Sequence, residues 1–575
     1  MSISDLQKRT TTNIQEKVNL IRSISYKLVG AYKPHEYGNV VLPMCVIKRF
    51  SDTLAVTKDD VISKNEELDR RNIIEKDRFL RAVSGHDFYN TSEFTFEGLL
   101  SDPDNIAVNF RSYLNHFSGN VIDVIEKFDF DKEITKLDQN GILYNVISEF
   151  CTEKAYMGDD EISSVDMGYI FEELARKFSE SYDEQAGAHF TARDIIYLMA
   201  EVLVAPHREK IDNEGITASM YDMAMGTSQM LDCLSEKLRE IDPDAKLTEY
   251  GQELNGQTFA IAKSNMLIRG GNAENMKHGN TLNDDKFEGF KFDYIISNPP
   301  FGIGWKNEKK DVEEENRRGD SGRFKAGLPG LGDSQQLFVL NGVAKLKDTG
   351  RMAIIQNGSP LFKGDAWSGE SNIRGYLLEH DWLEAIIQLP NFMFYNTGIP
   401  TYVWVVSKDK SIERAGKVQL IDASRCSVKR KKTIGFKRNE FDDTCIGLIM
   451  QAYNRFTDDT YTDGDLVVES RVKDNEDFKY RKVTVEYPSA KDSKPERETE
   501  IIPWKEDVQT YMERNVLPYH PKARPVESRI KIGYEIPFTR EFHKYVQLES
   551  SEVILTRLKE LEVKETELMN KIMGR

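Results

Sequence analysis

The chain has 575 residues, 39% of them apolar and 30% charged, with a formal net charge of −17. That length is too great for one hydrophobic core and implies two to four domains. The acidic balance excludes a protein that grips nucleic acid over most of its surface, and no apolar run approaches a membrane span.

Met1-Ser2-Ile3-Ser4-Asp5 does not begin a signal peptide, so a cytoplasmic protein without membrane contact is expected. Cys45, Cys151, Cys233, Cys426 and Cys445 are scattered, with no CxxC pair or His/Cys cluster. This predicts a reducing compartment and no metal site. No Pro-Cys dipeptide is present, which argues against thiolate attack on a cytosine carbon.

Residues 1–160 read as helical. Apolar positions recur at helical spacing in Val18, Ile21, Ile24 and Leu28, and again in Leu42, Val46 and Phe50. With no phosphate loop or catalytic cluster there, this is expected to be a partner-binding or DNA-clamping domain.

Residues 165–425 switch to short apolar runs separated by helical stretches. Candidate strands are Met220 to Met223, Thr248 to Tyr250, Phe292 to Ser297, Met352 to Gln356, Ala385 to Leu389 and Tyr402 to Val406. The alternation predicts an α/β fold with a parallel sheet covered on both faces, and ligands at the carboxyl ends of its strands. Asp222 and Asn298 both fall at such ends, so one cleft can hold cofactor and target.

Gly302 to Gly332 is charged and Gly-rich with few apolar anchors, which predicts a mobile loop that orders on substrate. The final region, 426–575, reads as a basic stretch, a polar segment from Ser470 to Glu500 and a terminal helix. In that helix Ile554, Leu558, Leu561, Leu568 and Ile572 follow a 4-3 spacing, interrupted by Glu565. It suits either packing on its own domain or an intersubunit coiled coil. The basic runs Lys429-Arg430-Lys431-Lys432 with Lys437-Arg438, and Lys306 to Lys310, read most simply as solvated faces.

Asn298-Pro299-Pro300-Phe301 closes the apolar run Phe292 to Ser297. Such a corner suits methyl transfer to a planar exocyclic amine, whose nitrogen lone pair is delocalised into its ring. The Asn298 side-chain oxygen and the Pro299 carbonyl can accept both N–H bonds and bias the nitrogen toward pyramidal geometry. Prolines stiffen the corner and remove backbone donors, while Phe301 can stack on an extruded base. Upstream, Asp222-Met223-Ala224-Met225-Gly226-Thr227-Ser228 links a strand to a helix, a turn that points backbone N–H groups at a polar ligand. Glu253, in Tyr250-Gly251-Gln252-Glu253, follows the next strand at a position suited to ribose hydroxyls.

These motifs, with Gly187-Ala188-His189-Phe190-Thr191-Ala192-Arg193, Asp333-Ser334-Gln335, Asn357-Gly358-Ser359-Pro360-Leu361-Phe362 and Phe394-Tyr395-Asn396-Thr397-Gly398, carry a family resemblance. The chain resembles the modification (methyltransferase) subunit of type I restriction–modification systems, almost end to end. Tyr37-Gly38-Asn39-Val40-Val41-Leu42-Pro43 looks like that family's N-terminal helical domain, and Gly533-Tyr534-Glu535-Ile536-Pro537-Phe538 like its C-terminal signature.

The resemblance implies a Rossmann-like S-adenosylmethionine-dependent methyltransferase sheet with an N-terminal helical domain and a C-terminal helical extension. It implies methylation of the exocyclic N6 of a flipped adenine in double-stranded DNA. Implied partners are a specificity subunit that reads the site, a second copy of the chain held through that subunit, and a restriction subunit that can add cleavage. The terminal helix would contact the specificity subunit. Implied cofactor residues are Ala188, His189, Phe190, Thr191, Ala192, Arg193, Asp222, Gly226, Thr227, Ser228, Gln229, Glu253 and Asn280. Asn298, Pro299, Pro300 and Phe301 would hold the target base.

Three departures from the family pattern stand out. Met223 and Met225 replace Pro and Cys, and Ser228 and Gln229 replace two glycines of the cofactor loop. Ala192 replaces Pro. Asn280 stands where Asp is usual. If position 228 needs a positive φ, Ser there costs about 1 kcal/mol, so weaker cofactor binding with retained activity is expected. Methylation of the cytosine exocyclic amine and a catalytically weakened scaffold of the same assembly remain alternatives. Methylation of RNA or protein glutamine fits the corner but not the two end motifs.

Overall fold

The computed structural model describes residues 19–20, 23–162, 167, 170, 191–209, 215–487, 496–543 and 550–572. The N-terminal region is helical through Phe150, as its periodicity predicts. Ile24, Leu28, Leu42, Val46 and Phe50 are all buried, whereas Val18 and Ile21 lie outside the described residues. Helix α1 (Gly38–Leu54) is buried around most of its circumference, so it also sequesters charge. Lys48 pairs with Asp52 at 2.6 Å, and Arg49 donates to the Met157 carbonyl.

The central sheet begins with β1 (Thr217–Asp222), β2 (Lys246–Glu253), β3 (Met276–His278) and β4 (Phe292–Ser297). It continues with β5 (Leu346–Asn357), β6 (Leu383–Gln388), β7 (Thr401–Ser407) and β8 (Lys417–Arg425). After a separate hairpin of β9 (Val428–Ile434) and β10 (Lys437–Glu440), β11 (Asp459–Asp463) and β12 (Leu466–Asp474) rejoin it. The order is β11-β12-β8-β6-β7-β5-β4-β1-β2-β3. β3, β2, β1, β4 and β5 are mutually parallel, and β7 inserts antiparallel between β5 and β6. All six candidate strands are present, and β4 has the predicted limits. Its residues are buried on both faces except Asp293, which accepts from the Ser219 amide and hydroxyl and from Lys347.

Helices α2 (Gly119–Lys127), α3 (Arg193–Glu209), α4 (Gln229–Ile241) and α5 (Gly256–Ile268) position the site. α5 packs on α1 and α2 of the N-terminal region. Gln257 donates to Asn39 at 3.1 Å, and Lys263 pairs with Asp123 at 2.7 Å.

The segment from Gly302 to Gly332 is folded, contrary to the expected mobile loop. It contains α6 (Lys309–Arg317) and buries Trp305, Val312 and Phe324. Arg323 replaces a larger apolar anchor. It forks onto Glu315 at 2.7 and 2.6 Å, and reaches the carbonyls of Thr281 and Leu282 and the side chain of Asn341. A Cβ at Gly322 would lie 2.1 Å from the Glu315 carbonyl, so only glycine fits there. Composition alone underestimated the segment because its anchors are ion pairs.

Helices α7 (Gln335–Lys345) and α8 (Gly369–Glu379) follow. The sheet does not stop at the expected boundary of 425, since β11 and β12 carry it to Asp474. Nor is the following region a helical extension alone. β13 (Lys479–Tyr487), β14 (Glu496–Pro503), β15 (Arg524–Pro525) and β16 (Lys531–Tyr534) form a small antiparallel sheet. Val483, Val485 and Ile502 fill its core, while alternate polar residues mask the two-residue period. Pro537–Arg575 forms a second compact unit. In it α9 (Ser551–Ile572) leaves Ile554, Leu558, Leu561 and Leu568 about half exposed.

The C-terminal signature docks through one buried cation. Arg374 of α8 donates to the carbonyls of Tyr534 at 2.7 Å, Pro360 at 2.9 Å and Lys363 at 2.8 Å. Burial holds its guanidinium down to about 10. Gly375 leaves room for the Tyr534 ring, which would meet a Cβ at 2.5 Å. Arg374→Met strips three carbonyls, two of them buried, of their donor, and should cost about 3 kcal/mol. A lower thermal midpoint with faster proteolysis near residue 534 is the expected outcome.

Candidate active site

Asp222, Glu253 and Asn298 end or follow β1, β2 and β4, at one edge of the sheet, where the strand order reverses. They line one cavity of about 600 Å³, together with Thr191, Gly226, Thr227, Gln229, Asn280 and Pro300. Met223, Ile196, Met230, Leu254, Ile303 and Phe338 supply its apolar walls. A second cavity of about 630 Å³, lined by Asp285, Glu315, Arg323 and Lys345, includes none of the predicted residues.

Asp222 is fully buried. Its Oδ1 accepts from the Ser297 hydroxyl at 2.7 Å and the Ala224 amide at 3.1 Å, while Oδ2 has no partner. Desolvation pushes its carboxyl up to about 7, against the opposing pull of these two donors. Glu253 accepts from the amides of Gly226 at 2.9 Å and Asn255 at 2.8 Å, and burial raises it too. Asn255 also caps α5, accepting from Thr258 at 3.0 Å. Asn298 Nδ2 donates to Thr191 Oγ1 at 2.8 Å. Asn280 is used at both ends: Nδ2 donates to Glu308 at 2.9 Å and Oδ1 accepts from the Leu282 amide.

The turn between β1 and α4 explains its unusual residues. Met225 donates from its amide to the Gln252 carbonyl, and Thr281 donates to the Met223 carbonyl at 2.6 Å. Both methionines are buried. A Cβ at Gly251 would lie 2.1 Å from the Met225 sulfur, and one at Gly342 would lie 3.1 Å from the Met223 methyl. Glycines on β2 and α7 thus make room for side chains larger than Pro and Cys. Gly226 takes φ +54°, and a Cβ there would meet nothing within 4 Å, so the turn's cavity side is bare. Ser228 has φ +73°, the left-handed region, and its buried hydroxyl has no partner.

Other predicted residues fall outside the cavity wall. Ala192 is buried beneath the start of α3, and Arg193 opens that helix. Pro299 is buried. Phe301 packs edge-on against Phe394, with ring centroids 6.1 Å apart. Ala188, His189 and Phe190 lie outside the described residues. Sequence reasoning missed Ser297 and Asn255. Ser297 adjoins Asn298, Asn255 lies two residues past Glu253, and the Asn255-Gly256 pair is a helix-start signal.

The arrangement fits a ligand with a cationic methionine end and an adenosine end. Asp222, Glu253 and the turn residues give the cavity its polar side, and its other walls are apolar. A folded-state Asp222 near 7 lies above its ordinary 3.8. Its stabilising effect is therefore complete below about 4 and lost as pH rises through 7. A cationic ligand draws that proton off, so cofactor affinity should rise about tenfold from pH 6 to 8 and then level. Calorimetry checks this, and Asp222→Asn should flatten the slope. Ser228→Gly should raise stability by about 1 kcal/mol in thermal unfolding and tighten cofactor binding.

Comparison with known proteins identifies the family and the fold. Residues 163–494 match the family model described as N-6 DNA Methylase, and residues 18–150 match the HsdM N-terminal domain. The MjaIX methylase subunit, a type I restriction enzyme subunit of Methanocaldococcus jannaschii, is 25% identical over 461 residues, 76% of this chain and 77% of that one. The MpnII methylase subunit of Mycoplasma pneumoniae is 27% identical over 319 residues, so this chain spans 56% of its length and is itself covered over 53%. The crystal structure of the type I restriction-modification system methyltransferase subunit from Streptococcus thermophilus shares the fold. Its TM-score is 0.61 at 23% identity, covering 82% of this chain and 97% of that one. Matched over more than half its length, this chain belongs to the N-6 DNA methylase family.

Proposed function

We propose that the chain is the modification subunit of a type I restriction–modification system. It methylates the exocyclic N6 of adenine in double-stranded DNA. One observation carries this reading: the buried amide of Asn298 lines the same cavity as Asp222 and Glu253. S-adenosylmethionine supplies a sulfonium methyl group open to attack by an amine.

The chain's own residues make the target amine a better nucleophile. With Nδ2 committed to Thr191, the Asn298 amide offers its oxygen to the amine, and the Pro299 carbonyl is the second acceptor. Neither proline brings a competing N–H, and the buried site strengthens each bond by excluding water. Pro300 and Phe301 form the stiff, apolar exit of the corner. Asp222, Glu253 and the turn amides hold the cofactor's polar ends.

The chain works with a specificity subunit that reads the sequence and a second copy held through it, a reading that the net charge of −17 supports. A restriction subunit can add cleavage. The half-exposed apolar face of α9 is the contact for the specificity subunit, and the N-terminal helical region closes on the DNA. No helix among the described residues is long and apolar enough to cross a membrane.

Asn298→Ala should reduce methyl transfer by at least about 100-fold, the scale for losing a transition-state contact. Its cofactor dissociation constant should stay within about twofold. Nucleoside mass spectrometry of the product DNA should show N6-methyladenine. N4-methylcytosine in its place would overturn the base assignment, and full activity in the variant would overturn the role of Asn298.

A further inference from the structure

The β9–β10 hairpin concentrates positive charge in an acidic chain. Lys429 and Lys431 alternate along β9 and are exposed, while Arg430 between them pairs with Glu440 at 2.6 Å. A register shift between Lys437 and Asn439 turns the exposed Arg438 aside, over the Phe392 ring at 4.8 Å. Lys429, Lys431 and Arg438 have no acidic partner among the described residues. A half-exposed aromatic ring, Phe436, lies at the hairpin tip.

The hairpin is tied to the catalytic corner by two independent routes. Phe436 and Arg438 donate from their amides to the carbonyls of Tyr395 and Phe392, at 2.7 and 3.0 Å. That segment carries Phe394, the ring packed on Phe301. Buried Lys437 donates to the Met393 carbonyl at 2.9 Å and pairs with Asp194 at 3.0 Å, three residues beyond Thr191. The Phe441 amide also donates to Asp194. A run of charge that only solvates a surface needs no such buried anchor.

We propose that this hairpin grips the DNA backbone beside the target base, with Lys429, Lys431 and Arg438 on phosphates that flank the extruded nucleotide. The inference rests on the function proposed above. Cations without an acidic partner, on a hairpin bonded to the segment that packs on Phe301 and to the start of the helix after Thr191, match the phosphates of a duplex whose base enters the cavity. Phosphate contacts of this kind position DNA without reading its sequence.

The test compares the chain, assembled with its specificity subunit, with its Lys429→Ala/Lys431→Ala/Arg438→Ala triple variant on a duplex of about 30 base pairs, over a salt series. Each lost phosphate contact lowers the slope of log affinity against log salt by about 0.9, so a drop of about 2 to 3 is expected. The KM for DNA should rise by about tenfold or more, with an unchanged cofactor dissociation constant. Lys429→Arg/Lys431→Arg should retain the slope, which separates charge from folding. An unchanged slope in the triple variant would overturn the proposal. So would an unchanged slope joined to lost co-purification with another subunit, which would make the hairpin a protein contact. A wild-type chain that, together with its specificity subunit, binds with the expected slope but transfers no methyl group would support the hairpin and refute the functional reading.

Discussion

When β1 pairs in parallel with β4, Met220 opposite Tyr294 and Tyr221 opposite Ile295, Asp222 and Ser297 reach one sheet edge together. The Ser297 hydroxyl then donates to Asp222 Oδ1 at 2.7 Å. A carboxyl at such depth is costly unless its oxygens find donors, and the strand pairing provides one. The residue after β4 is Asn298, so the bond that settles the acid also sets the distance from it to the Asn298 amide. Shifting the register by one residue would turn Ser297 to the opposite face and separate the two halves of the site.

The turn above Asp222 departs from a glycine-rich pattern without losing its shape. Met223 and Met225 sit where smaller residues are usual, and glycines at 342 and 251 vacate the space they fill. The exchange moves volume between neighbouring elements and leaves the cavity side of Gly226 bare. Ser228 is different, because its positive φ and unpartnered hydroxyl have no such compensation. Strain and packing are separable here: the methionines are accommodated and the serine is tolerated.

Buried arginines take the part that apolar residues play elsewhere. Arg323 gathers the β3–β4 connection around 281–282, α6 and α7 into one unit, and Arg374 ties residues 360–363 to Tyr534. Planar guanidinium groups suit irregular backbone because they satisfy several carbonyls in one plane. The charged character of Gly302 to Gly332 is thus compatible with order, and the N-terminal helices reach the cofactor side of the fold through Gln257 and Lys263 on α5.

Local sequence was sufficient for the features that depend on neighbours along the chain. The two-face burial of β4 follows from its unbroken apolar run. The Asn-Pro-Pro corner follows from rigid φ angles, and the strand-then-turn order places Asp222, Glu253 and Asn298 at carboxyl ends. The N-terminal helices follow from apolar spacing at Ile24, Leu28, Leu42, Val46 and Phe50. Tertiary structure alone decided what depends on partners distant in sequence. The antiparallel insertion of β7, the continuation of the sheet to Asp474, the engagement of Asn298 with Thr191 and the anchoring of Lys437 on Asp194 are of this kind. The physical reason is common to all four: hydrogen bonds and ion pairs between remote segments are directional and pairwise. Their existence therefore depends on where the folded backbone delivers each partner, which no local pattern of residues encodes.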